Sequence, residues 1–233
     1  MAQMDYRNAL IVGAGSGLSA SLARLLANAG MAVALAARSV DDLTALAQQI
    51  GAKTFACDAS KRESVAKLFA DLEASTGAPD VVVYNASYRT RGPFVELDQV
   101  EVERALTVTA YGGFLVAQEA VKRMLPHAHG AILFTGASAS VKGYAQSAPF
   151  AMGKFALRGL AQSMARELSP QGIHVGHIVI DGGIRSARRP EAAEKPDSML
   201  DPDAIAQSYL DLLRQPRSAW AWEIELRPWV ERF

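Results

Sequence analysis

Phe150 and Lys154 stand four positions apart in the stretch SAPFAMGKFAL, whose pattern predicts the beginning of a helix. Side chains at that spacing lie one above the other on the same helix face. A lysine there could tune an acidic neighbour, but a phenyl ring has no proton to give. The pair therefore indicates either a proton-transfer site without its usual acid or an ordinary helix.

A glycine-rich turn near the amino terminus indicates nucleotide binding. The stretch LIVGAGSGLSASLARLL runs strand, turn, helix, the order in which a backbone cradles a pyrophosphate. Gly13 permits the tight turn, Gly15 and Gly17 let the backbone approach the phosphates, and the helix N-terminus supplies N–H donors and a positive dipole. This context favours a cofactor site over a purely structural turn. The residues predicted to hold the phosphates are Gly13, Gly15, Ser16, Gly17 and Leu18.

A basic residue follows the second predicted strand. That strand ends in ALAARS, with Arg38 where an adenosine ribose should lie and with no acidic residue at positions 36–40. An aspartate there would bind the ribose 2′-hydroxyl, whereas an arginine suits a 2′-phosphate. We therefore expect NADP rather than NAD, the alternative being a solvated surface arginine.

Length and composition suit one ordinary α/β domain over residues 1–233, with two small domains as the weaker alternative. The 24 basic and 24 acidic side chains cancel, which argues against nucleic acid or an anionic membrane as a partner. The single cysteine, Cys57, excludes an intrachain disulfide and a cysteine-rich zinc site, and it fits a reducing compartment. There is no signal-peptide pattern and no apolar run of ~18 residues. We expect a cytoplasmic protein without a metal site.

Apolar runs rich in β-forming residues alternate with longer stretches of helical pattern. Strands are predicted at 8–13, 31–37, 52–57, 80–85, 130–136 and 173–180, and helices near 17–29, 40–50, 61–75, 98–124, 148–168 and 202–214. Strands this apolar, separated by helices, indicate a parallel sheet covered on both faces. Right-handed crossovers then make it a Rossmann-type doubly wound α/β sheet of about seven strands.

Two segments near the carboxyl terminus have patterns of their own. Residues 181–201 have few apolar side chains and two prolines, which predicts a mobile loop that acts as a lid over the substrate. Alternation within residues 219–227 predicts an edge or interface strand, with Trp220 and Leu226 on its apolar face and Glu223 on the opposite face.

Four segments at the ends of predicted strands resemble motifs of the short-chain dehydrogenase/reductase family. They are GAGSGLS, with Ser19 in place of the family's last glycine; CDAS, with Asp58 at the adenine-contacting position; YNAS, with Ser87 in place of a glycine; and DGGIRS, with Asp181 in place of a proline. The resemblance covers nearly the whole chain. It implies a dinucleotide that contacts Asp58, Ala59, Asn85, Ala86, Ser87, Lys154, Gly182 and Ile184.

Members of the family transfer hydride with an Asn-Ser-Tyr-Lys tetrad. At the positions of this sequence that match the tetrad, only the lysine is unchanged, as Lys154. Thr109 stands at the asparagine position and Phe150 at the tyrosine position. Ala137 falls at the serine position, with Ser138 one residue away. Because the family's tyrosine passes the proton to or from the substrate oxygen, the resemblance leaves the proton donor open.

Candidates for that donor are Tyr144, Ser138 and water. Tyr144 lies in the loop expected to line the substrate pocket, and a one-residue slip would bring Ser138 to the substrate oxygen. Thr109 can form hydrogen bonds but cannot copy the paired donor and acceptor of an amide, so a structural role is the alternative for it. The candidate catalytic residues are thus Lys154, Ser138, Tyr144 and Thr109.

Two functions fit these residues. One is an NADP-dependent oxidoreductase that acts on a small molecule, either a carbonyl/alcohol pair or a conjugated double bond. The other is a dinucleotide-binding protein that has lost turnover, as a sensor or partner subunit; an isomerase or lyase that uses the cofactor structurally is a weaker third. The resemblance also implies a homo-dimer or homo-tetramer formed through helices 98–124 and 148–168. The pocket loops carry no chemistry that identifies the substrate.

Overall fold

A twisted parallel sheet forms the centre of the molecule. The computed structural model describes residues 6–187 and 189–231. Within them the strands are β1 (Asn8–Val12), β2 (Ala32–Ala37), β3 (Lys53–Ala56), β4 (Val81–Tyr84), β5 (Gly130–Thr135), β6 (Ile173–Ile180) and β7 (Glu223–Leu226). Their order is β3-β2-β1-β4-β5-β6-β7, and every neighbouring pair is parallel.

Helices cover both faces of the sheet. They are α1 (Leu18–Asn28), α2 (Thr44–Ile50), α3 (Arg62–Thr76), α4 (Gln99–Leu106), α5 (Gly112–Met124), α6 (Ala148–Leu168) and α7 (Pro202–Leu213). Successive β1 residues alternate between two cores: Leu10 and Val12 pack with α3, α5 and α6, whereas Ala9 and Ile11 pack with α1 and α7. Burial on both sides explains why the central strands are apolar without alternation. The predicted doubly wound α/β fold is confirmed.

The predicted helix 98–124 is interrupted by a π-helical turn, Thr107–Tyr111, between α4 and α5. The turn opens where two side chains take part in its bonding. The Tyr84 hydroxyl donates to the carbonyl of Val108, and the Thr109 hydroxyl accepts from the backbone N–H of Tyr88 across 3.2 Å. Competition for helical hydrogen-bonding groups is a recognised cause of such bulges, which periodicity alone does not reveal.

The carboxyl-terminal strand is shorter than the predicted 219–227. β7 pairs with β6 at the sheet edge, and Trp220 lies before it, with its indole stacked on His174 at a ring separation of 4.6 Å. Glu223 is half-buried in the structure. Its carboxylate accepts two hydrogen bonds from Arg158, at 2.6 and 2.8 Å, and lies 2.9 Å from Nδ1 of His177.

Residues 181–201, predicted to be a lid, follow β6 and lead into α7. Short backbone links fold the segment on itself: Leu200 donates to the carbonyl of Gly183 across 2.8 Å, and Arg185 donates to that of Leu200 across 2.9 Å. The Asp201 carboxylate then caps α7 by accepting from the N–H of Asp203. Opening and closing of this segment stays a prediction. Among the helices described, none has the length and apolarity needed to cross a bilayer.

Candidate active site

A cleft opens at the carboxyl ends of the strands, where the chain leaves β1 and β4 toward opposite faces of the sheet. Such a switch point is where doubly wound sheets bind ligands. One half of the cleft has a volume of about 580 Å³; we call it the Arg38 half. The predicted residues that line it are Gly13, Arg38, Asp58, Ala59, Asn85, Ala86 and Ser87.

Glycine is required in the first turn for two different reasons. Gly13 has a φ of +83°, and a Cβ there would lie 2.3 Å from the backbone nitrogen of Ala86, so protein packing excludes any side chain. A Cβ on Gly15 or Gly17 would meet no protein atom within 4 Å. Packing therefore does not explain those two glycines, but a phosphate close to the backbone at the N-terminus of α1 would. Gly15 and Ser16 border a separate depression beside α1 rather than the Arg38 half.

Ser19, which stands where the resemblance implies a glycine, joins the turn to the end of β4. Its buried hydroxyl donates to the carbonyl of Gly13 across 3.1 Å and accepts from the side-chain amide of Asn85 across 2.7 Å. This relay fixes the glycine turn against the opposite wall of the cleft. Sequence inspection marked Ser19 as a departure from the motif but did not reveal its partners.

Arg38 and Asp58 stand at the outer end of the Arg38 half. The side chain of Ser60 donates to the Asp58 carboxylate across 2.6 Å, and this hydrogen bond holds the pKa of Asp58 below its usual value. Arg38 is exposed, lies beside Ser39 on the cleft wall, and forms no ion pair with any residue that the structure describes. An arginine and a serine hydroxyl side by side form a donor set suited to a phosphate.

The second half of the cleft, of about 350 Å³, adjoins the first through Asn85 and Ser87; we call it the Lys154 half. Lys154 reaches it from α6. Its Nζ donates to the carbonyl of Thr135, at the end of β5, across 2.7 Å. The side chain is 3% exposed, and burial lowers the pKa of its ammonium to about 8. Burial disfavours the charged form of a lysine, which is why this proton is held less tightly than usual.

The structure brings some predicted residues to the Lys154 half and leaves others out. Its lining includes Gly17, Leu18, Asn85, Ser87, Ala137, Phe150, Lys154 and Ile184. Ser138 and Tyr144 are not among the lining residues; Ser138 begins a short 3-10 turn and Tyr144 is half exposed in the following loop. Thr109 is fully buried, and Gly182 packs against Pro228 and Leu200 rather than lining the cleft.

Of the lining side chains in the described part of the chain, two can ionise, and one of these can exchange a proton near neutral pH. Arg185 forms an ion pair with Asp201, and its guanidinium keeps its proton in proteins. Lys154 is the other. The remaining polar side chains of the lining are hydroxyls and an amide.

Two cations lie close to the ring of Phe150. The guanidinium carbon of Arg89 is 4.7 Å from the centroid of its ring, and Nζ of Lys154 is 5.8 Å from the same point. An aromatic face attracts cations through its quadrupole. Arg89 was not identified from the sequence, because nothing in the local pattern of residues 84–93 links it to α6.

A charged cluster supports α6 behind Lys154. Arg158, one helical turn further along, forms the bidentate pair with Glu223, which also holds the ring of His177 on β6. Burial lowers the pKa of His177 to about 4, so the ring is neutral at physiological pH and Nδ1 donates to Glu223. Its Nε2 is buried without a hydrogen-bond partner in the described part of the chain.

These features define a dinucleotide-binding α/β protein with a buried lysine at the inner end of its cleft. Residues 7–196 match the family model for short chain dehydrogenases. The chain belongs to the short-chain dehydrogenase family. It is therefore an oxidoreductase of that type, from a family that binds NAD or NADP, acts on small molecules and commonly forms oligomers.

Individual proteins agree with this assignment. An uncharacterized oxidoreductase of Staphylococcus aureus strain N315 is 28% identical over 234 residues, 98% of this chain and 100% of the relative. A short-chain dehydrogenase from Rhodopseudomonas palustris is 32% identical, with a TM-score of 0.82 over 96% of this chain and 99% of that one. An alcohol dehydrogenase from the archaeon Thermococcus sibiricus, complexed with 5-hydroxy-NADP, is 27% identical, with a TM-score of 0.85 over 97% and 98% of the two chains.

Proposed function

We propose that this protein is an NADP-dependent oxidoreductase that interconverts a carbonyl compound and its alcohol, and that Lys154 provides the proton that a phenol provides elsewhere in the family. One observation carries the proposal: among the described residues that line its half of the cleft, Lys154 is the one that can release a proton near neutral pH. The fold and the glycine turn supply the cofactor site, and the lysine supplies the acid.

Arg38 supports the choice of NADP. It stands exposed on the cleft wall beside Ser39 and forms no ion pair among the described residues. A 2′-phosphate at this position would receive charge-assisted hydrogen bonds from the guanidinium. The related alcohol dehydrogenase of Thermococcus sibiricus, which is complexed with 5-hydroxy-NADP, is consistent with the same choice.

Bound NADPH would supply the hydride for the substrate carbon. The ammonium of Lys154 gives a proton to the substrate oxygen, directly or through one water, and becomes a neutral amine that takes up a proton from solvent. In the direction of alcohol oxidation the amine accepts the hydroxyl proton instead. The carbonyl of Thr135 holds Nζ in place in both directions, since it can accept from the amine as well as from the ammonium.

Ser138 and Tyr144, the donors expected from the sequence, are assigned no part in this transfer because neither lines the Lys154 half. The Thr109 hydroxyl accepts a hydrogen bond from the backbone N–H of Tyr88, in the loop that follows β4. That loop carries Ser87 and Arg89 to the cleft, so we assign Thr109 a positioning role.

The test is single-turnover hydride transfer from NADPH to a panel of aldehydes and ketones, with coenzyme affinity measured by calorimetry on the same preparation. Wild-type protein should bind NADPH and oxidise it on mixing with at least one carbonyl compound. Tight binding with no oxidation on any compound would favour the dinucleotide-binding protein without turnover. No binding of either coenzyme would refute both functions.

We further propose a homo-dimer or homo-tetramer assembled through α4, α5 and α6. Tyr111 and Phe114 of the α4–α5 region stack on each other and are 41% exposed, and Met152 and Phe155 of α6 are 49% and 45% exposed. Apolar side chains grouped on long helices in this way favour burial in an interface. Light scattering would give the mass. The buried free thiol of Cys57 suits the reducing cytoplasm.

A further inference from the structure

We propose that the substrate carries an oxyanion, a carboxylate or a phosphate, which binds to Arg89, Arg91 and Arg189 at the entrance to the Lys154 half. The inference rests on the proposed function, since it concerns the substrate of the same site. These three residues come from two loops, one after β4 and one after β6. None of these three arginines takes part in the chemistry described above.

Arg89 contacts a residue that lines the Lys154 half. Its guanidinium sits over the ring of Phe150 at 4.7 Å, and Phe150 lines the cleft next to Lys154. None of its N–H groups donates a hydrogen bond to any residue that the structure describes. A guanidinium held on an aromatic face keeps its planar donors available, in the geometry that matches a carboxylate or phosphate.

Arg189 reaches the same entrance from the other loop. The backbones of Ser186 and Arg189 exchange two N–H···O hydrogen bonds, both of 3.0 Å, which fix the turn. The guanidinium of Arg189 lies against Gly183. A Cβ placed on that glycine would be only 2.8 Å from Cζ of Arg189. Gly183 is followed by Ile184 and Arg185, both of which line the Lys154 half.

The three cations are close enough to affect one another. Burial lowers the pKa of Arg89, and the charges of Arg91 and Arg189 lower it further. None of the three forms an ion pair within the described ranges, although other cations of this region do: Lys142 pairs with Asp181 at 2.9 Å, and Arg185 pairs with Asp201. Like charges grouped without counter-ions repel one another, and a bound oxyanion would offset that repulsion.

The positions also bear on the size of the substrate. Lys154 and Arg89 contact the same ring, so their charges are no farther apart than the two distances of 5.8 and 4.7 Å combined. A carbonyl oxygen at Lys154 and an oxyanion at Arg89 can therefore belong to one small molecule. A short oxo acid or a small hydroxycarbonyl phosphate has this arrangement of groups.

The experiment compares charged and neutral substrates of matched shape: 3-oxobutanoate against its methyl ester, and dihydroxyacetone phosphate against dihydroxyacetone. Variants Arg89→Gln and Arg189→Gln are measured beside Arg166→Gln, which removes one positive charge from the exposed far end of α6.

In wild type, we expect kcat/KM for one charged substrate to exceed that for its neutral partner by about tenfold or more. Arg89→Gln should lower the charged value by about tenfold and leave the neutral value within about twofold, and Arg166→Gln should change neither. The pair in which the charged member is preferred distinguishes carboxylate from phosphate.

Equal activity of wild type on the charged and neutral substrates would overturn the inference. An equal loss of activity on both substrates in Arg89→Gln would overturn it too. Either result leaves the proposed function standing. If no compound is reduced, the proposed function fails, and calorimetry of 3-oxobutanoate and dihydroxyacetone phosphate still decides the inference. Binding to wild type that is lost in Arg89→Gln and kept in Arg166→Gln supports the oxyanion site, whereas no binding to wild type overturns it.

Discussion

Lys154 donates to the carbonyl of Thr135 across 2.7 Å while its Nζ stays 5.8 Å from the centroid of the Phe150 ring. The lysine is thus anchored at the end of β5 and still borders the cleft beside a ring that has no proton to exchange. Burial brings the pKa of its ammonium to about 8, within the range in which a general acid can act near neutral pH. The proposed chemistry depends on this placement.

Replacing Lys154 by arginine tests its role as a proton donor separately from the role of its positive charge. A guanidinium keeps the positive charge but does not release a proton in proteins. We expect Lys154→Arg to bind NADPH within a few-fold of wild type and to lose about 100-fold or more in the rate of hydride transfer, the usual contribution of a positioned acid. Lys142→Arg is the matched control, since Lys142 is exposed and bonded to Asp181, and it should keep the wild-type rate. Full activity in Lys154→Arg would show that the proton comes from elsewhere.

Gly13 and Gly15 should respond differently to the same substitution. Gly13→Ala forces a Cβ to within 2.3 Å of Ala86 at a φ of +83°, and the backbone conformation alone costs about 1–2 kcal/mol. We expect a loss of more than about 2 kcal/mol in the free energy of unfolding, measured by urea denaturation. Gly15→Ala, whose Cβ meets no protein atom, should unfold like wild type but bind NADPH more weakly. Equal stability of the two variants would contradict the assigned roles.

Arg38→Gln tests the choice of coenzyme. Loss of a charge-assisted hydrogen bond to a 2′-phosphate costs about 1.5–3 kcal/mol, so the dissociation constant for NADPH should rise by about tenfold or more. NADH, which lacks that phosphate, serves as the internal control and should bind as before. A parallel loss for both coenzymes would assign Arg38 to protein stability instead of recognition.

His177 should make the protein less stable in mild acid. Its pKa is lowered from 6.5 to about 4 by burial, so between these values the unfolded chain binds a proton that the folded chain does not. The free energy of unfolding therefore falls as pH decreases through this window, by on the order of 3 kcal/mol. His177→Asn, which keeps a donor toward Glu223, should show a weaker dependence in urea unfolding at several pH values. His127→Asn, at an exposed site, should retain the wild-type slope.

Much of the fold could be predicted because its signals are local. Runs such as VVVY in β4 and the turn after β1 carry their structure in their own residue types, and the order of strands and helices then fixes a parallel sheet. The π-helical turn could not be predicted, because Tyr84 and Val108, which help to open it, are far apart in sequence. The partners of Glu223 could not be predicted for the same reason, since they lie on β6 and α6.

The same distinction between local and long-range signals applies to the candidate site. The glycine turn, Arg38 and Lys154 were recognisable from their positions after strands or within a helix. The contact of Arg89 with Phe150 joins the loop after β4 to helix α6 and produces no periodic pattern in the sequence. Ser138 was expected there because a one-residue slip would bring it to the serine position, and Tyr144 because its loop was expected to line the substrate pocket. Neither is among the described residues that line the Lys154 half.

The most direct measurement is the rate of single-turnover hydride transfer from bound NADPH to a reducible carbonyl compound as a function of pH. If the Lys154 ammonium is the acid, the rate is constant below its pKa of about 8 and falls about tenfold per pH unit above it. Lys154→Met, which cannot donate, should abolish this dependence together with most of the rate. A wild-type rate that stays constant well above that pKa, or no transfer from tightly bound NADPH to any carbonyl compound, would contradict the role of Lys154.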